Sequence, residues 1–173
     1  YITIKTMKKI LMIALLIAPM TVFAQQKFGH VNSQQIIQSL PDFIKSNGEI
    51  EAQAKIYENE LQTMQQEIQK QATAYEQAQA TMSQTQKEAK EKELMELQQK
   101  LQQTYNDNQQ ALQKLQQEKL QPILTKVQNA IKNVGKAGAY IYIMDTSAGI
   151  PYISETLSKD VTAEVKAEIN KLK

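Results

Sequence analysis

Glu49-Ile50-Glu51-Ala52-Gln53-Ala54-Lys55-Ile56-Tyr57 opens a stretch that runs to Gln121, 73 residues without a Gly or a Pro. It is built almost wholly of Gln, Glu, Lys, Ala, Leu and Met, whose side chains lose little freedom in a helix. As one helix it would be about 110 Å long. Its periodicity divides it instead. Ile50, Ala54, Tyr57, Leu61, Met64, Ile68, Gln71, Tyr75, Ala78 and Met82 follow one another at alternating spacings of four and three. That is a heptad seam, and only Gln71 in it is polar. Thr81 to Gln86 then brings weak helix formers, and Thr85-Gln86-Lys87-Glu88 fits a capping box with Thr85 as N-cap. A tight reversal is predicted near 81–86. Beyond it Leu94, Leu97, Leu101, Tyr105, Asn108, Leu112 and Leu115 carry a second seam with one stutter at Tyr105. Two arms of matching length predict an antiparallel helical hairpin over 49–119, each arm about 50–60 Å long.

On both sides of this hairpin the composition changes. Lys27 to Asn32 reads as a strand, and Ser33 to Leu40 as a short helix with Ser33 as N-cap, closed by Pro41. After the arm, Leu120, Ile123, Leu124, Val127, Ala130, Ile131 and Val134 form a broad apolar helical face. Pro122 should kink that helix, and Gly135 and Gly138 should end it. Ala139 to Asp145 reads as a strand with Ile141 and Ile143 on one face and Tyr140, Tyr142 and Met144 on the other. Ser147-Ala148-Gly149 is a turn, and Ile150-Pro151-Tyr152-Ile153 a second strand that its proline confines to an edge. A last helix follows Asp160, with Val161, Val165, Ile169 and Leu172 on one side. The fold class is therefore α+β: a body at 25–48 and 120–173, and a helical arm at 49–119. About 70 residues with few large side chains make a poor core alone, so the body is expected to oligomerise.

The first 24 residues read as an address. Lys5, Lys8 and Lys9 precede the apolar run Ile10–Ala18, and Val22-Phe23-Ala24 offers small or branched residues at a cleavage point. Met7 is the natural start, with 1–6 an upstream extension. The run is shorter than the roughly 17–25 apolar residues a spanning helix needs. Without this leader, 17 Lys face 18 Asp and Glu, a formal charge of −1. All the basic residues are Lys, which removes the bidentate guanidinium fork used on phosphates and base edges, so nucleic acid is not an expected partner. Nor does the charge indicate a membrane surface. The absence of Cys rules out disulfides, thiolate metal sites and a Cys nucleophile, and the single His30 rules out multi-histidine zinc. His30 reads as a structural strand residue without a motif partner. Gly135-Lys136-Ala137 lacks the rest of a phosphate loop. No cofactor, metal or catalytic constellation is read from the chain, which is not expected to be an enzyme.

Phe28-Gly29-His30-Val31-Asn32-Ser33, the run Leu124 to Val134, Tyr140-Ile141-Tyr142-Ile143-Met144-Asp145 followed by Tyr152, and Asp160 to Val165 stand in an order that resembles the Skp/OmpH family of periplasmic chaperones. The resemblance implies a periplasmic homotrimer. It further implies that helical hairpins surround a cavity in which unfolded outer-membrane β-barrel proteins are held without ATP. Phe28, Val31, Ile141, Ile143 and Tyr152 would then belong to the oligomerising body. Leu61, Met64, Ile68, Tyr75, Met82, Leu94, Leu97 and Leu101 would form the arm seam, with client contact along its flanks, where Met is adaptable. The family's well-known members are strongly basic and this chain is not, so no lipopolysaccharide site is carried over. The alternative from the residues alone is a secreted coiled-coil scaffold or spacer of the cell envelope.

Overall fold

The computed structural model describes residues 26–172, and these fall into two compact units. One holds residues up to Gln34 and from Gln128 onward; the other is Gln35–Val127. The leader expected at 1–24 lies outside the described residues.

The first unit is built on a three-stranded, all-parallel sheet of β1 (Lys27–Val31), β2 (Tyr140–Asp145) and β3 (Ser158–Asp160), in the order β2-β1-β3. Parallel neighbours need long crossovers, and here the N-terminal strand takes the centre between two C-terminal ones. Helix α1 (Ser33–Ser39) follows β1, and α2 (Pro41–Ala78), α3 (Gln84–Ala137) and α4 (Thr162–Ile169) complete the set. Helix α4 lies against β1, and Val161 N–H donates to His30 C=O at 2.9 Å. Val31 and Ala130 are buried, as are Val161, Val165 and Ile169 of the apolar side predicted for the last helix, while Leu172 lies beyond the helix and is half-buried.

Three readings of this unit need correction. The strand expected at Ile150–Ile153 is irregular backbone, and β3 lies at Ser158–Asp160 instead. Pro151 brings no N–H to a ladder, and the Ser154 hydroxyl and carbonyl accept from Leu157 N–H and Ser158 N–H in a turn. Strand β2 does not alternate cleanly. The register shifts between Lys27 and Phe28, which face Tyr140 and Tyr142. A bulge there lets Tyr140 join Ile143 beside Gly29, where a Cβ would stand 3.2 Å from both side chains. Finally, Ser33 is not an N-cap but the first residue of α1. Its N–H donates to Asp145 Oδ1 at 3.2 Å and its hydroxyl to Asp145 Oδ2. The end of β2 thus holds the start of α1.

Helix α3 runs through Pro122 without interruption and stops at Ala137. Gly138 N–H returns to Val134 C=O at 2.9 Å, and Ala139 takes the left-handed conformation (φ 52°) that reverses the chain into β2. Gly138 is required by close approach: a Cβ would fall 2.3 Å from the ring of Tyr140.

In the second unit α2 starts with Pro41 at its first turn and continues through Gly48 to Ala78, a length of about 57 Å. A 3₁₀ turn at Gln79–Thr81 and an extended Met82 reverse the chain. The capping box is present, but two residues earlier than read. Ser83 N–H donates to Gln86 Oε1 at 2.9 Å and Gln86 N–H to Ser83 Oγ at 3.3 Å, so Ser83 caps α3, which begins at Gln84. Thr85 is already helical.

Candidate functional site

The antiparallel arms meet along the predicted seam. From Ala54 to Met82 every seam residue is half-buried, while Ile50 at the open end is fully buried. Leu61, Met64, Ile68, Tyr75, Met82, Leu94, Leu97 and Leu101 are all half-buried. Two helices alone do not enclose each other's side chains, so each seam residue from Ala54 to Met82 keeps an accessible flank.

The second seam departs from its reading at one position. Tyr105 is 46% exposed, and Thr104 takes the place between the arms. Leu94, Leu97, Leu101, Thr104 and Asn108 then alternate spacings of three and four, and the break in the alternation moves on to Asn108–Leu112, where Ala111 and Leu112 are both half-buried. Three polar clasps cross the seam: Tyr75 Oη donates to Glu91 Oε1 at 2.6 Å, Asn108 Nδ2 to Glu60 Oε2 at 3.0 Å, and Lys119 Nζ to Glu49 Oε2. The hydrogen bond and the charge of Lys119 hold the Glu49 carboxyl below its ordinary value. The bond to Glu91 pushes the Tyr75 phenol up. Gln71, the polar member of the seam, donates to Glu67 Oε1 at 2.9 Å, and its own Oε1 is buried. Lys90 and Glu93, half-buried beside the seam, pair at 2.6 Å, and Lys92–Glu96 at 3.8 Å is an exposed pair; both are of small worth.

The sheet unit presents a second surface. Phe28 and Tyr142 stack with ring centroids 5.0 Å apart. With His30, Met144, Tyr152 and Leu157 they line an open groove of about 280 Å³. Tyr152 is 79% exposed and Leu157 74%, and Ile141, Tyr142 and Met144 are also exposed. Of the body residues singled out by sequence, Phe28 and Ile143 are half-buried, Ile141 and Tyr152 exposed, and Val31 fully buried in the chain's own core. Met144, on the second face of a strand that reads as apolar on both, and Leu157, which stands in no apolar repeat, were not singled out.

His30 does gain a partner that no motif announced: its Nδ1 lies 2.9 Å from Ser158 Oγ on the neighbouring strand. The nearby Asp160 carboxylate accepts instead from Thr162 N–H at 2.9 Å, and its hydrogen bonds to Thr162 hold it below the ordinary carboxylate value. The imidazole is therefore not oriented as in a Ser-His-Asp triad. Burial acts to raise Asp145, but the bonds from Ser33 and Ser147 outweigh it and keep this carboxyl low. Lys159 and Glu164 pair at 2.6 Å, which raises the amine and lowers the carboxyl. Among the described residues no cluster of three His, Asp or Glu could hold a metal ion, and no helix is long and apolar enough to cross a membrane.

The chain has counterparts among known proteins. The family described as outer membrane protein (OmpH-like) matches residues 27–169. The chain is 28% identical over 154 residues to the chaperone protein Skp of Pectobacterium atrosepticum, covering 89% of this chain and 92% of that one. It is 28% identical over 147 residues to the Skp of Yersinia enterocolitica, covering 83% and 85%. The solved structure of an OmpH-like outer membrane chaperone from Caulobacter crescentus shares the fold, with a TM-score of 0.71 at 16% identity over 86% of each chain.

Proposed function

The chain belongs to the OmpH-like family of outer membrane proteins, and from that premise we propose that it is a periplasmic holdase chaperone working without ATP. Its clients are unfolded outer-membrane β-barrel proteins. The named relatives are chaperones, and the observation that carries the reading is the arm: a seam half-buried along its length, apolar at its centre and Gln-rich on its flanks. Such a surface makes many weak contacts and no tight one, so a client is retained by their sum and released without a nucleotide. Shielding the client keeps its strand edges from meeting other chains.

The assembly we propose is a homotrimer. Its contacts are made by the sheet unit through Phe28, Ile141, Ile143 and Tyr152, joined by Tyr142, Met144 and Leu157, with Val31 setting the strand from inside. The exposed aromatic and aliphatic groove supports this, since monomers rarely leave such side chains together in water. In this reading 25–48 and 120–173 serve assembly and 49–119 serves the client.

Light scattering by a denatured β-barrel protein diluted into buffer tests the holdase. An equimolar amount of assembled protein should abolish the rise in scattering, and an unchanged rise would sink the reading. Removing residues 54–115 should leave a threefold assembly by native mass measurement and lose the suppression. If the assembly itself fell apart, an envelope scaffold held by its coiled coil would be the better description.

A further inference from the structure

Helix α2 carries Asn47-Gly48, the one Asn-Gly pair among the eight asparagines of the chain. Asparagine is a thermolabile residue, and most so before glycine. The backbone nitrogen of the following residue attacks the side-chain carboxamide carbon, and glycine, having no Cβ, leaves that approach open. No packing calls for a glycine at this position. It lies inside a helix, where it is less stable than alanine, and a Cβ on it would meet nothing within 4 Å.

The folded chain restrains both reactants. Residues 47 and 48 are helical, so the Gly48 N–H is aimed at the carbonyl four residues back and not at the side chain beside it. The Asn47 carboxamide donates from Nδ2 to Glu51 Oε1 at 2.6 Å. One residue on, Glu49 is clasped across the seam by Lys119 and stands 4.0 Å from Lys45 on its own helix. Water still reaches the pair, since Asn47 is half-buried and Gly48 exposed. The chemically similar Asn32-Ser33 is held more firmly. Ser33 has a Cβ, and its N–H, the nitrogen that would attack, donates to Asp145 Oδ1.

We propose that Asn47-Gly48 is a self-modification site that records opening at the base of the hairpin. When the turn around residue 47 unwinds, the Gly48 nitrogen gives up its proton to base and bonds to Asn47 Cγ. The bond from Cγ to the side-chain nitrogen breaks, and that nitrogen leaves as ammonia. The cyclic imide then takes up one water. Entry at Cγ gives aspartate; entry at the backbone carbonyl gives isoaspartate, whose chain continues through Cβ and Cγ. Either product replaces the donor facing Glu51 by a second carboxylate, four residues away on one helix face, where like charges repel. Isoaspartate also adds a carbon to the backbone, and the helical register cannot pass it. Hydrolysis is not reversed, so repeated local opening accumulates as a covalent mark.

The test is peptide mapping by mass spectrometry on the full chain kept folded at mildly alkaline pH, with enzymatic methylation of isoaspartate as a second readout. Asn47 should gain the mass of amide hydrolysis ahead of the other seven asparagines. It should do so about tenfold more slowly than in the same chain in urea, because the helix has to open first. Lys119→Gln, which removes the charged clasp, should speed the folded reaction about threefold, whereas Ile169→Ala in the sheet unit should leave it unchanged. Gly48→Ala, which has room in the helix, should slow it about tenfold or more. An Asn47 that stays intact in the folded chain, or a rate equal to that in urea, overturns the proposal. So does a Lys119→Gln rate no different from the parent's, or an equal acceleration by Ile169→Ala, which would make unfolding of the whole chain the trigger.

Discussion

The two units of this chain are held together in opposite ways. The sheet unit concentrates its stability in a few closed side chains: Val31, Ala130, Val161 and Val165 are fully buried and Ile169 is 3% exposed. The hairpin spreads its stability along some thirty residues per arm and closes none of them between Ala54 and Leu120. A core of the first kind tolerates no loss of volume, whereas a seam of the second kind loses little at any one position. The difference suits their proposed roles, since an assembling body has to be rigid and a surface for varied clients has to yield.

Truncating one isoleucine in each unit would break that comparison most directly. Ile169→Ala should cost about 2–5 kcal/mol, the range for a buried large-to-small change, because its neighbours cannot fill the cavity. Ile68→Ala, half-buried in the seam, should cost no more than about half as much, since water already reaches part of the side chain. Urea unfolding of both variants decides this, and equal costs would mean that the seam is packed as tightly as the core. Gly138→Ala sharpens the same point at the junction of α3 and β2. The new methyl would overlap the Tyr140 ring, for about 1–3 kcal/mol by overpacking, whereas Gly48→Ala, with open space around it, should be neutral or stabilising by thermal melting.

The smallest expected effect concerns pH. Asp145 is held below its ordinary value of 3.8, so its bonds to Ser33 and Ser147 stabilise the sheet unit fully above that value. That contribution fades as pH falls from 3.8 through the lower folded value. Asp145→Asn should therefore be less stable than the parent at pH 7, and the difference should shrink below 3.8. A difference that is constant with pH would mean that the carboxylate's charge plays no part.

The hairpin was legible because its signal is local. Seven-residue periodicity, the missing Gly and Pro and a capping pair all lie within reach of one another, and the arms follow them closely. Its one misread seam position, Tyr105, came from favouring an apolar ring over the polar Thr104, although spacing alone selects Thr104. The turn was misread by two residues because Ser83-x-x-Gln86 and Thr85-x-x-Glu88 are both valid caps, and the helix takes the earlier one.

The sheet was legible only in part, because parallel pairing is set by distant residues. β1 and β2 announced themselves by composition. β3, Ser158-Lys159-Asp160, has no apolar alternation and is a strand only because Phe28, Gly29 and His30 lie beside it. Ile150–Ile153 has the composition of a strand, but Pro151 and the Ser154 turn set it apart. Tyr140 changed face because a bulge cannot be read from alternation. The contact between His30 and Ser158 joins residues 128 apart in sequence, which no local pattern encodes. Val31 was legible only as a residue of the body, for the same reason: an apolar strand residue does not declare whether its own chain or another will cover it.

The order of the sheet has a temporal consequence. Its middle strand is the first of the three to leave the ribosome, and both of its neighbours come more than a hundred residues later. Phe28 waits for Tyr142 on one side and for Ser158 on the other, so no incomplete copy can satisfy that strand's hydrogen bonds. A chain cut anywhere before β3 is left with a raw edge, the signature by which proteases and other chaperones recognise an unfinished product.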